Sequence, residues 1–290
     1  MLSTPDGTAF LRNAKGLGPG AMVMVQVNGY AEDGKAIPVT SKVLFKSRYV
    51  VVTPGAPGLN LARSLKGEAA RGRLRILLND IAADSGHGAI LRSAAADADE
   101  ADIEEDIRAM LLEADAALGA DQSVVSQLSE GPGPHHQAWI NWGAPAQIET
   151  SHGSFEHTGV LDQLALVLET EVALGQARMT IEPTKALTAV DIDTGGDFSP
   201  KAGLKANLDA AKALPRALRL RGIGGQIVID LAPMSKADRR TFEAALRTSL
   251  KVDGIETSLV GWTPLGHFEV QRKRERLALA ALKPELETVL

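Results

Sequence analysis

No cysteine occurs among the 290 residues, which excludes disulfides, iron–sulfur clusters, thiolate zinc and a catalytic thiol, and fits a reducing compartment. Aromatic residues are only 4%, which points to mixed α/β structure packed by aliphatic side chains rather than to a large β-sandwich. No apolar run approaches the roughly 18 residues of a membrane span, and the opening MLSTPDGTAF lacks the charged and apolar regions of a signal peptide. A soluble cytoplasmic protein with no membrane partner is therefore expected. With 44% hydrophobic and 23% charged residues, the chain can bury a substantial core, and disorder, collagen and coiled coil are excluded. Its length implies two or three domains.

The net charge of −5 averages over unlike regions. Residues 1–79 hold 11 Lys/Arg against 4 Asp/Glu, residues 80–171 hold 2 against 18, and residues 201–290 hold 16 against 10. Two basic ends flank an acidic middle. Charges act over a Debye length of about 10 Å, so a basic face can bind a polyanion on a chain that is acidic overall. A solvated acidic helix beside ordinary surface explains the same counts.

The first fifty-odd residues read as a small β module: turns at Pro5-Asp6-Gly7 and Asp33-Gly34, and strands over Ala21–Val27 and Ser47–Thr53. The turn at residue 5 has no expected strand before it. A linker at 54–58 precedes a basic helix from about 62 to 78, a strand at 88–93 and a helix at 100–118, an αβα unit. Residues 119–160 read as a linker with a few strands. A helix over 160–174 then leads to strands at 178–182 and 186–193, a helix at 201–221, and a strand at 226–232. Strand, helix and strand in that order form a βαβ unit with a parallel pair. Ser235 and Asp238 form a capping pattern for a helix to 251, and strands near 255–260 and 266–272 follow. Met22, Met24 and Met110 are expected in the core.

Asp191 and Asp230 each interrupt an apolar strand, LTAVDID and QIVIDLA, where an unpartnered buried carboxylate is costly. Each lies toward the C-terminal end of its strand. In a right-handed βαβ unit both ends emerge on the edge where open α/β sheets bind ligands. Two carboxylates converging there suit a hard cation such as Mg²⁺, with Mn²⁺ as an alternative. In a plainer reading, one Asp caps a loop and the other pairs with an Arg. Asp193 shares Asp191's strand face, as a third ligand or a supporting partner. On the intervening helix, Lys201, Lys205, Lys212, Arg216 and Arg219 fall within about a 60° stripe, a phosphate track or else a solvated face. Pro215 is expected to kink or break that helix. His135, His136, His152 and His157 match no zinc spacing, so no zinc is expected.

These motifs join up. ALTAVDIDTGG, KANLDAAKALPRALRLRGIGGQIVIDL and PLGHFEVQRKR resemble the catalytic region of the ribonuclease E/G family, and LFKSRYVVVTPGAPGLNLAR with GAILRSAA resemble its S1 module and 5′-end sensor. The resemblance covers about nine-tenths of the chain. It implies an α/β chain, more fully an α+β multidomain protein: a partial S1/OB-like β module at 1–55, a 5′-sensor-like unit at 56–120, a linker or RNase H-like remnant at 121–165, a DNase I-like catalytic domain at 166–280 and a tail at 281–290. It implies an endoribonuclease acting on single-stranded RNA in RNA processing or decay, with Asp191 and Asp230 as its metal-binding aspartates. Arg92 and Ser93 match residues that hold a 5′-monophosphate, Val51 matches an apolar contact to the terminal base, and Arg48 joins the RNA-contacting set.

Four departures stand out. Asp193 replaces the family's usual Asn, Glu256 stands where a basic residue is expected, and a chain without cysteine cannot form the family's zinc-linked dimer, so any oligomer uses other contacts. The family's N-terminal RNase H-like segment and the opening strands of the S1 barrel are expected upstream of this sequence or lost, leaving an exposed sheet edge. A non-catalytic RNA-binding protein derived from the family is the alternative expectation, and a small-substrate metal phosphoesterase is a third.

Overall fold

A computed structural model describes residues 1–31, 34–142, 147–199 and 201–282. Asp33 of the expected Asp33-Gly34 turn and the tail from 283 lie outside the described residues. The chain divides into two compact units, 1–148 and 149–290.

The first unit holds two four-stranded sheets. One contains β1 (Leu2–Thr4), β2 (Gly7–Leu11), β3 (Gln26–Val27) and β4 (Ile37–Thr40), in the order β1-β2-β4-β3. The turn at residue 5 does have a strand before it: Leu2 faces Ala9 and Thr4 faces Gly7 in an antiparallel hairpin. The strand expected over 21–27 shrinks to two residues. The core here is only Ala9, Leu11 and Val39, too small to bury both faces of a longer strand, and Met22 is exposed rather than core.

The second sheet contains β5 (Phe45–Lys46), β6 (Val50–Thr53), β7 (Gly58–Leu61) and β8 (Gly88–Leu91), in the order β5-β6-β8-β7. Since β6 pairs along β8, the domain boundary expected at 55 falls inside a sheet. Two helices cover it, α1 (Glu68–Ala82) and α2 (Glu100–Leu118). The latter has the expected limits, and Ile103, Ile107, Leu111 and Ala114 at helical spacing enter a core with Val50, Val52, Leu74, Leu78 and Leu91. The former begins at 68 rather than 62, because β7 occupies 58–61 and Gly67 turns the chain at φ 85°. In place of the strands expected across 119–160, the described residues form helices: α3 (Pro134–Asn141) here, started by a proline whose missing N–H costs nothing in a first turn, and α4 (Ser154–His157) in the second unit.

The second unit is a six-stranded sheet with two helices on one face. After α5 (Val160–Leu168) come β9 (Glu171–Leu174), β10 (Ala177–Pro183), β11 (Thr188–Asp193), α6 (Ala202–Leu220), β12 (Gly225–Asp230), α7 (Lys236–Asp253), β13 (Thr257–Trp262) and β14 (Phe268–Arg272). The helix expected to reach 174 stops at 168, because Glu171, Val172, Ala173 and Leu174 alternate exposed and half-buried, the period of a strand. The sheet order is β13-β14-β12-β11-β10-β9, and only β11 and β12 run parallel. Both helices bury their inner faces against Met179, Ile181, Val190, Ile192, Ile227, Ile229, Phe268 and Val270. The helix α6 passes Pro215 unbroken. Its inner face is built of small residues, Ala202, Gly203, Ala206, Ala210 and Ala217, which lets it approach closely. A Cβ on Gly203 would lie 2.0 Å from the Pro233 carbonyl oxygen.

Candidate active site

In β11, Thr188, Val190 and Ile192 are buried while Asp191 faces the opposite side; in β12, Ile227 and Ile229 are buried and Asp230 is exposed. The parallel register sets Asp191 level with Asp230. The two carboxylates therefore share the open face and the C-terminal edge of the only parallel pair in this sheet, as the βαβ pattern requires. Two features hold that edge. Asn207, fully buried on α6, donates from Nδ2 to the Ala232 carbonyl at 2.8 Å and accepts from the Ala232 N–H at 3.0 Å, clamping the chain two residues past Asp230. Gly195, at φ 68°, turns the chain after β11, where a Cβ would lie 1.6 Å from the Gln176 carbonyl oxygen.

Burial raises the Asp191 pKa, the charges of Asp230, Asp193 and Glu182 raise it further, and a hydrogen bond from the Ile192 N–H opposes them. Among the described residues, no Lys or Arg pairs with Asp191 or Asp230. Two carboxylates side by side, one with its pKa raised by the other's charge and with no cationic side chain between them, fit a divalent cation. No set of three or more His, Asp or Glu side chains among the described residues forms a metal cage. A cation held by two carboxylates completes its shell with water and substrate oxygens, which is the habit of Mg²⁺. Asp193 is engaged elsewhere: one oxygen accepts from the Gly195 N–H at 2.5 Å and the other lies 3.6 Å from Arg178 Nη2. Its place is in the turn beside the pair.

One neighbour escapes the sequence patterns. His267 Nδ1 lies 3.2 Å from Asp230 Oδ1, because β14 runs antiparallel to β12 with Phe268 opposite Ile229, which brings the preceding His267 beside Asp230. No local spacing links positions 37 residues apart; only the sheet order does.

The basic stripe is placed differently from expectation. The inner face of α6 meets the sheet's core side, so Lys205, Lys212 and Arg216 project from the outer side of the helix, away from the face bearing Asp191 and Asp230. Only Lys201 and Lys205 lie at the helix end near that edge. At about 1.5 Å per residue, Arg216 and Arg219 sit more than about 20 Å along the helix from Lys201 and more than about 16 Å from Lys205. Lys212 lies 3.5 Å from Asp209, and Arg219 is committed to the buried Asp253, which Arg272 also binds at 2.6 Å. A continuous track past the carboxylates is not formed.

In the first unit, Arg48 and Arg92 do converge, on the chain's own backbone. Arg92 Nη1 donates to the carbonyls of Ser47, Arg48 and Ile140, and Arg48 Nη1 donates to those of Trp139, at 2.7 Å, and Trp142, at 2.5 Å. Arg48 also stacks over the Trp139 ring at 4.3 Å. Two guanidiniums thus cap the C-terminal carbonyls of α3, the negative end of its dipole. Burial lowers the Arg92 pKa; Asp106 opposes that and the Arg48 charge adds to it. Ser93 opens a short 3₁₀ turn after β8, and Val51 pairs with the exposed Ile90 across the sheet.

Comparison with known proteins gives one consistent answer. A sequence model described as the Ribonuclease E/G family matches residues 45–130 and 135–275. Ribonuclease G of Salmonella typhimurium is 27% identical over 304 residues, covering 89% of this chain and 60% of that protein. Ribonuclease G of Escherichia coli strain K12 is 27% identical over 296 residues, with the same coverage. Ribonuclease E of Nostoc sp. is 28% identical over 302 residues, covering 89% of this chain and 44% of that protein. The chain spans 60% or less of the length of these relatives. Among the described residues no helix is long and apolar enough to cross a membrane.

Proposed function

The chain belongs to the ribonuclease E/G family, and from that premise we propose that it is a divalent-metal-dependent endoribonuclease, hydrolysing single-stranded RNA in cytoplasmic RNA processing or decay. Within it we read β1–β4 as S1-like, the second sheet with α1 and α2 as 5′-sensor-like, residues 121–165 as an RNase H-like remnant, and residues 166–280 as a DNase I-like catalytic domain. The observation that carries the reading is the level placement of Asp191 and Asp230 at an open sheet edge.

Asp191 and Asp230 would hold Mg²⁺, or Mn²⁺ in its place. A bound divalent ion lowers the pKa of a water and offsets charge on a scissile phosphate. His267 fixes the rotamer of Asp230 through Nδ1, while Asn207 and Gly195 fix the backbone on either side. Asp193 holds the loop that leads to Lys201 and Lys205, whose ammonium groups draw a phosphate chain toward the edge. Arg48 and Arg92, bound to the end of α3, leave little room for a 5′-phosphate, so cleavage here should not depend on one.

The test is cleavage of a short fluorescent single-stranded RNA with Mg²⁺ and with EDTA, in the wild type and in Asp191→Asn and Asp230→Asn. Cleavage should need the ion and both carboxylates, while the variants still bind RNA. Full activity in either variant would falsify the assignment. Asp193, an extra negative charge beside the pair, favours one second reading, an RNA-binding protein without turnover. That reading requires RNA binding without cleavage under any divalent ion.

A further inference from the structure

The C-terminal sheet edge carries a second construction that the carboxylate pair does not use. β13 runs antiparallel to β14 and has a bulge between Leu259 and Gly261, where Gly261 takes φ 128°. A bulge inserts one residue and reverses the alternation beyond it. Leu259 packs on the core, the next core-facing position by strict alternation would be Gly261, and the shift places Trp262 there instead. Its ring stacks edge-on with Phe242 and Phe268 at 6.2 and 5.1 Å, and its Nε1 donates to Glu243 Oε1 at 2.5 Å. The indole is fixed on two sides.

Against that fixed ring lies Arg239, in the first turns of α7, its guanidinium carbon 4.2 Å from the ring centroid. Its Nε–H is buried and has no hydrogen-bond partner, and among the described residues no carboxylate pairs with it. Glu243, one turn along the same helix, is spent on the Trp262 indole. Arg239 Nη2 lies 3.5 Å from the Cβ position of Gly266, and the next residue, His267, touches Asp230. A single short loop therefore joins this guanidinium to the candidate metal site.

A rigid guanidinium with its charge uncompensated, stacked on an aromatic face and standing at the rim of a carboxylate site, is built to take an anion with planar geometry. We infer that Arg239, presented by Trp262, binds a phosphate of the RNA strand where it passes Asp230. This rests on the ribonuclease reading and adds to it the strand contact that the α6 stripe does not provide. The bulge at Gly261 then has a function: it aims the tryptophan that aims the arginine.

The test uses the full chain carrying Asp191→Asn, so that RNA is bound and not cut, with fluorescence anisotropy of a labelled single-stranded RNA across a salt series. Adding Arg239→Gln should weaken binding about tenfold and reduce the slope of log affinity against log salt by about one phosphate contact. Arg239→Lys keeps the charge without the planar stack, so it should keep the slope and lose part of the affinity. Equal affinity and slope for the Gln variant, with an unchanged thermal melt, would overturn the inference while leaving the ribonuclease reading in place. No salt-dependent RNA binding by the Asp191→Asn parent would remove both.

Discussion

Asp191 and Asp230 stand level on adjacent parallel strands, the first at the fourth position of β11 and the second at the last position of β12. Neither is paired with a Lys or Arg among the described residues, so the charge of Asp230 adds to the cost of ionising Asp191, and that cost can be measured.

The folded-state pKa of Asp191 is raised, by burial first and by Asp230 and Asp193 next. The folded protein therefore holds this proton to higher pH than the unfolded chain does. Stability falls as pH rises from the ordinary carboxylate range through the raised value, and below the ordinary range the penalty is absent. Asp191→Asn should melt higher than the wild type at pH 7 without divalent ions. The gap should close as pH is lowered through that window, and Mg²⁺ should raise the melting temperature of the wild type more than that of the variant. A gap independent of pH would contradict this account.

His267 touches only one of the two carboxylates. If it orients Asp230, His267→Ala should weaken Mg²⁺ or Mn²⁺ affinity by about tenfold or more, in the range found for partners of metal ligands. Titration calorimetry with the metal alone reads this without any RNA. Unchanged affinity would reduce the 3.2 Å contact to ordinary packing.

Asn207→Ala leaves both the N–H and the carbonyl of Ala232 without their buried partner. The expected loss is about 2–6 kcal/mol, from about 1–3 kcal/mol for each of the two unsatisfied groups, measurable by urea unfolding. Cleavage should fall further than stability explains, because the freed backbone lies two residues after Asp230.

Asp253 binds Arg219 and the fully buried Arg272. Asp253→Ala strands a buried guanidinium and should cost about 3–5 kcal/mol. Arg219→Ala, at a partly exposed position, should cost much less and leave RNA affinity nearly unchanged. A large loss of RNA binding in Arg219→Ala would restore this residue to the strand path.

Arg48 and Arg92 cap α3 through backbone carbonyls of Trp139, Ile140 and Trp142. RNA with a 5′-monophosphate and RNA with a 5′-hydroxyl should thus be cut at similar rates. Stimulation of several-fold by the monophosphate would mean that α3 yields its place to the substrate.

The sequence by itself determined the βαβ unit, the helix at 100–118, the cap at Ser235 and the candidate pair Asp191 and Asp230. Each is written in a local period or in a charge that breaks one, and a pattern of 2 or 3.6 residues needs no knowledge of distant chain. Only the tertiary structure decided what those residues meet. His267 reaches Asp230 across 37 positions because of sheet order, Trp262 turns inward because of one bulge, and Arg219 and Arg92 are claimed by a buried aspartate and a helix end. The stripe on α6 is a property of the helix alone. Which side of the sheet it serves depends on which face carries the alanines, and that is settled by packing, where burial of small residues against the strands turns the lysines outward.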